Sequence, residues 1–153
     1  MVNVCFKNDF SFSESNIDTI FYVDIEGQCF PDEQWTDFIV PVLEMWINNL
    51  STNYNASKAG FKLYFMDGPY YIECQKENSQ LKMKFIEDRS KRRVVIEDEV
   101  DFFQFTEQLL ITTSYVINFL STLKLKKAYG LADLKRAYKT LKGKAEKHEK
   151  TLP

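Results

Sequence analysis

The chain has 153 residues, a net charge of −2, and 13 Phe, 8 Tyr and 2 Trp. That length makes one domain able to bury a substantial core, and so many rings remove the need for a disulfide or metal to hold it. Cys5, Cys29 and Cys74 are odd in number and widely spaced, which excludes a redox pair and metal-ligand spacing and suits a reducing cytoplasm.

Charge is polarised along the chain: residues 1–57 sum to −8, residues 58–123 to −1 and residues 124–153 to +7. Such asymmetry bears on partners rather than on fold. The opening MVNVCFKNDF has neither a basic leader nor the apolar run of a signal peptide. The greasiest window, Leu109 to Leu123, is too short for a bilayer and carries Thr112, Thr113, Ser114 and Asn118, so it reads as a core helix.

In chain order, Val4 to Phe12 reads as a first strand, Ser13 to Asn16 as a turn, and Thr19 to Ile25 as a second strand. Phe21, Val23 and Ile25 face inward there, with Tyr22 and Asp24 outward. A helix is predicted from Asp32, as cap or first-turn residue, to about Leu50. Trp35, Phe38, Ile39, Val42, Leu43, Trp46, Ile47 and Leu50 recur at helical spacing, with Asp37 and Glu44 on the opposite side. Pro41 falls inside the pattern and predicts a kink near Asp37 or a break into two segments.

Residues 61–86, FKLYFMDGPYYIECQKENSQLKMKFI, hold three runs of period two. Phe61, Leu63 and Phe65 share a face of the first, Tyr70, Ile72 and Cys74 of the second, and Leu81, Met83 and Phe85 of the third. Asp67-Gly68-Pro69 and Glu77-Asn78-Ser79 supply the turns. Asp88 to Arg93 reads as a charged turn and Val94 to Ile96 as a short strand. Glu97, Asp98 and Glu99 are expected to open a long helix buried through Phe102, Phe105, Leu109, Val116, Phe119, Leu120 and Leu123. Gly130 ends it. From about residue 131 a basic, solvated helix docks by Leu134, Tyr138 and Leu141 and frays at its end. The expectation is therefore one α+β domain over residues 1–153, with an antiparallel sheet of five to six strands around a meander, packed on two or three helices.

Little in the chain points to catalysis. His148 is the single histidine, which nearly excludes imidazole-based nucleophile pairs, and the five glycines form no phosphate loop. Acid pairs such as Asp24 with Glu26 read more simply as solvated edge residues. No cofactor, metal or membrane partner is expected. Two surfaces remain. One is the basic tail of Lys124, Lys126, Lys127, Lys135, Arg136, Lys139, Lys142, Lys144, Lys147 and Lys150, which with the Arg89–Arg93 turn gives a nucleic-acid-binding alternative. The other is the acidic head of Asp18, Asp24, Glu26, Asp32, Glu33, Asp37 and Glu44, which suits a basic protein partner.

Two segments carry a resemblance: Gly27-Gln28-Cys29-Phe30-Pro31-Asp32-Glu33-Gln34-Trp35-Thr36-Asp37-Phe38 and Phe65-Met66-Asp67-Gly68-Pro69-Tyr70. With the second Trp at position 46, the pattern resembles bacterial immunity proteins of polymorphic and contact-dependent growth-inhibition toxin systems, over about residues 19–86. The resemblance implies a cytoplasmic, non-enzymatic protein that binds a cognate toxin's C-terminal domain and blocks its active site. Joined to the acidic head, it suggests a nuclease toxin, with Asp24, Glu26, Asp32, Glu33, Asp37 and Glu44 as contacts and Tyr22 and Tyr54 as anchors.

Overall fold

The computed structural model describes residues 1–123, 125 and 128–152. They form an α+β domain of two four-stranded antiparallel sheets and three helices. In the first sheet β1 (Val2–Phe12) pairs with β2 (Ile17–Ile25) from Val2↔Ile25 to Phe12↔Ile17, with an irregularity between Lys7 and Ser11. The other edge of β2 takes β3 (Gln28–Phe30) and β4 (Thr36–Phe38), one after the other. Glu26 and Gly27 turn β2 into β3 with φ of 52° and 88°, the doubly left-handed turn whose twist matches a two-residue hairpin.

The second sheet is the expected meander, β5 (Lys58–Tyr64), β6 (Tyr70–Glu77), β7 (Gln80–Asp88) and β8 (Arg92–Asp101), in that spatial order. Its register lines up Leu63, Ile72, Phe85 and Ile96 across all four strands. Lys82 and Lys84 are exposed while Leu81, Met83 and Phe85 are buried, as the alternation requires. The strands thus number eight in two sheets, beyond the five to six anticipated in one. β3 and β4 are three residues each, too short to leave a period-two trace.

Three helix boundaries differ from expectation. The first helix, α1 (Ile39–Thr52), begins seven residues after Asp32. Pro41 lies in its first turn, where a backbone N–H has no helical partner to lose, so the proline starts the helix instead of kinking it. Glu97, Asp98 and Glu99 belong to β8, because that strand pairs with β7 as far as Gln80↔Asp101. Asp101 is the cap of α2 (Phe102–Ser121), accepting from the backbone N–H groups of Phe103 and Gln104 at 3.0 Å each. The third helix, α3 (Leu131–Thr151), continues four residues beyond Lys147 and is docked as far as His148. Lys144 donates to the Ser51 carbonyl at 2.6 Å, and the His148 ring stacks on Phe103 at 3.8 Å. Lys124, Lys126 and Lys127 of the basic tail lie outside the described residues.

One continuous core joins the two sheets. Its centre is Trp46 of α1, fully buried, with Phe21 of β2 at 5.1 Å and Phe65, just past β5, at 5.3 Å between ring centroids. Phe30 bridges Phe65 and Phe85. Helices also cover sheet edges. Trp46 Nε1 donates to the Tyr64 carbonyl, and Asn49 to that of Lys62, on the outer side of β5. Gln108 of α2 accepts from Val4 N at 2.8 Å and donates to the Val2 carbonyl at 2.9 Å, closing the edge of β1 as a partner strand would. No helix among the described residues is long and apolar enough to cross a membrane.

Candidate functional site

The first sheet turns one face to the core and the other outward, and register decides which residues share the outer one. Asp18, Ile20, Tyr22 and Asp24 alternate along β2 with the inward Phe21, Val23 and Ile25. Cys5 lies opposite Tyr22, Lys7 opposite Ile20, and Cys29 opposite Asp24. Glu26 sits at the adjoining turn beside the Met1 amino group. Asp32 and Glu33 are exposed in the loop leading from β3 to β4. Tyr22 and Asp24 of β2 and Asp32 and Glu33 of the β3–β4 loop therefore share one outer surface, with Glu26 at its border.

The electrostatics bear out this gathering. The Cys29 thiol is pushed up first by burial, then by the negative charges of Asp24, Glu33 and Asp32, with Lys7 opposing. Burial is the main cause for Cys5 as well, reinforced by Asp24 and Cys29. The Tyr22 phenol rises by burial and by the same neighbours. These cysteines are inert by this account, since raising a thiol's pKa removes thiolate. Cys74, fully buried, is pushed up far more strongly by burial.

Three candidates do not belong to this surface. Asp37 is 0 % exposed and cannot meet a partner. Its carboxylate accepts from Trp35 Nε1 at 2.9 Å, Phe38 N at 2.8 Å and Met66 N at 3.0 Å, and from the Asp67 backbone. Burial drives its pKa up and these hydrogen bonds partly oppose the shift. It is a strut between β4 and the β5–β6 turn, hence between the sheets. Tyr54, 5 % exposed, is likewise no surface anchor: its ring packs edge-on against Phe102 at 5.6 Å and Phe103 at 5.5 Å. Glu44, half-buried on α1, faces α3, where Asp133 adds to burial in raising its pKa and Arg136 opposes.

Both segments that carry the resemblance converge here and are used largely inward. Asp37 binds across to Met66, and Trp35 lies so close over Gly68 that an added Cβ would sit 2.6 Å from the indole. The Trp35 and Tyr70 rings meet edge-on at 5.2 Å. Asp67, absent from the sequence-derived site, is brought beside Asp18 by this convergence. Asp18 is raised first by burial and then by Asp67, and its Oδ1 is buried without a hydrogen-bond partner among the described residues. Asp18 was legible as the continuation of the period-two run 18, 20, 22, 24; Asp67 gave no local signal.

On the basic side, Lys135, Arg136, Lys139, Lys142, Lys147 and Lys150 are exposed on α3. The Arg89–Arg93 turn is compensated: Arg92 pairs with Glu73 at 2.9 Å, Arg93 with Glu87 at 3.3 Å, and Arg89 donates to the Tyr70 hydroxyl. Among the described residues no three His, Cys, Asp or Glu side chains group to hold a metal ion. No known protein family, curated protein or solved structure matches the chain.

Proposed function

We propose that this chain is a non-enzymatic, cytoplasmic immunity protein that binds and neutralises a cognate toxin domain through the outer face of its first sheet. The observation that carries this reading is the assembly of Tyr22, Asp24, Asp32 and Glu33, joined by Asp18 and Asp67 and bordered by Glu26, on a surface where Lys7 and the Met1 amino group beside Glu26 are the opposing cations. A rigid sheet with aromatic packing beneath it holds those charges in place at little entropic cost on binding. The complementary partner is cationic, and a nuclease, whose cleft receives phosphates, is the toxin class this face fits best. The free Cys5, Cys29 and Cys74 accord with a reducing compartment.

The test is co-expression with the toxin domain, followed by binding kinetics at low and high salt. Wild-type protein should rescue growth. The triple reversal Asp24→Lys, Asp32→Lys, Glu33→Lys should abolish rescue and slow association at low salt by about tenfold or more. Failure of wild-type rescue, or an unchanged association rate, would overturn the reading.

The exposed cations of α3 favour a second reading, nucleic-acid binding. It predicts salt-sensitive affinity for DNA or RNA that drops on Lys135→Gln, Lys139→Gln, Lys142→Gln. Neutralisation is the proper perturbation, because deleting α3 would uncover Leu134 and Leu141 of the core.

A further inference from the structure

Where the two resemblance-bearing segments meet, the surface sinks into a hollow of about 310 Å³. Its walls are Pro31, Trp35 and Tyr70, and the carboxylates of Asp32 and Asp67 stand at its rim. We infer that this hollow is a socket for an arginine side chain presented by a protein partner. The inference rests on the proposed reading of the acidic face as a protein-binding surface and names a contact within it.

Three features point to arginine. First, the aromatic wall is preorganised: Trp35 Nε1 is fixed to Asp37 Oδ2 at 2.9 Å, and Gly68 lies hard against the far edge of the indole. The ring therefore cannot fall into the space beside it, and an arriving group meets a wall already in place. Second, carboxylates are left over at the rim. Asp32 uses Oδ1 to accept from Gln34 N at 2.7 Å, leaving its second oxygen free. Asp67 has no side-chain partner among the described residues, and neither Asp32 nor Asp67 is in an ion pair there. Two carboxylates lining one hollow without a paired counter-charge call for a cation. Third, Tyr70 already receives one guanidinium from within the chain, Arg89 at 5.8 Å from its ring centroid. A planar, weakly hydrated cation that stacks on rings and forks onto carboxylates is arginine; lysine supplies the charge without the plane.

The experiment titrates the full-length protein with the blocked tripeptide Gly-Arg-Gly and, in parallel, with its citrulline counterpart, which has nearly the same shape and no charge. The readout is the indole N–H resonance of Trp35. That of Trp46, buried and bonded to the Tyr64 carbonyl at 2.7 Å, serves as internal reference. The expected result is a saturable shift at Trp35 with the arginine peptide alone, unchanged at Trp46. Asp32→Asn with Asp67→Asn should weaken it by about fivefold or more, the scale of two exposed ion pairs. Glu107→Gln, an exposed acid on α2 that does not line the hollow, should change it by less than about twofold. No saturable shift, an equal response to citrulline, or an unaltered Asp32/Asp67 double variant would overturn the socket. Arginine binding in a protein that fails to protect against the toxin would leave the socket standing and sink the functional reading. Protection without arginine binding would do the reverse.

Discussion

Removing the Asp37 side chain tests the claim that a buried carboxylate ties the two sheets together. Asp37→Ala strands four donors: Trp35 Nε1, Phe38 N, Met66 N and Asp67 N. Trp35 and Phe38 are half-buried and Met66 and Asp67 exposed, so part of this set recovers water. Each donor that stays dry over the buried Asp37 site loses its acceptor at about 1–3 kcal/mol, and two of the four are counted so. Relief from burying a charge offsets part of that, leaving a net loss of about 3 kcal/mol. For 153 residues, at about 2.1 cal/mol/K per residue, this lowers the melting temperature by about 9 °C. Urea unfolding followed by circular dichroism measures the loss directly, and exchange of the Met66 amide should accelerate with it. Asp37→Asn separates hydrogen bonding from volume, because it fills the same space but turns an N–H toward a donor; it should still lose about 2 kcal/mol. The sign with pH is fixed too. The folded-state pKa is raised, so the native protein holds this proton more tightly than the unfolded chain. The contribution of Asp37 to stability then grows as pH falls through the folded-state pKa toward the ordinary Asp range, and is smaller at neutral pH. Asp37→Ala should therefore cost more near pH 4 than at pH 7. An Asn variant within about 0.5 kcal/mol of wild type would refute the strut.

Gly68→Ala would place a methyl 2.6 Å from Trp35 Cη2 and 3.1 Å from Cζ2. With the indole pinned to Asp37 the expected cost is about 1–3 kcal/mol, accompanied by a change in Trp35 fluorescence. Gln108→Leu keeps the packing but leaves Val4 N and the Val2 carbonyl unpaired at the edge of β1. It should destabilise by about 1–2 kcal/mol and selectively speed exchange of the Val4 amide; an unchanged exchange rate would show that the edge is closed by something else.

The meander was legible because its information is local. Leu63, Ile72 and Phe85 alternate with polar neighbours, and Asp67-Gly68-Pro69 and Glu77-Asn78-Ser79 mark the reversals. The stretch 31–38 misleads for the opposite reason. Trp35 falls four residues before Ile39 and Phe38 four before Val42, a spacing that fits a helix. Their actual positions are set by β2, which pairs with Thr36–Phe38, and by Met66, 29 residues beyond Asp37. Pro41 held the correction, since a helix that contains proline without kinking starts within a turn of it. Glu97–Glu99 suit a helix start by charge, but nine β7–β8 residue pairs outweigh a dipole effect worth about 0.3–1 kcal/mol. Within the site, Tyr22 and Asp24 were placed by period two alone. Asp37 and Tyr54 were not, because nothing near them in sequence reveals that Met66 or Phe103 will cover them.

The division of labour among the acids has a consequence for how such a domain can change partners. A side chain that holds the fold cannot also vary to suit a new ligand without the costs worked out for Asp37 and Gly68. Phe30, Trp35, Asp37, Phe65 and Gly68 are fixed in that sense by their contacts with one another. Asp24, Glu33 and Asp67 point their charges at solvent and carry no comparable duty, though Asp24 and Asp32 each steady one turn by accepting from Gly27 N and Gln34 N. Surface changes away from such bonds usually cost within about 0.5 kcal/mol. The residues that make the resemblance recognisable are thus mostly the ones a partner does not touch, and the residues a partner would read are those between them. On the proposed reading, the identity of a partner has to be sought in the charges and the hollow that the sheet displays, not in the struts beneath them.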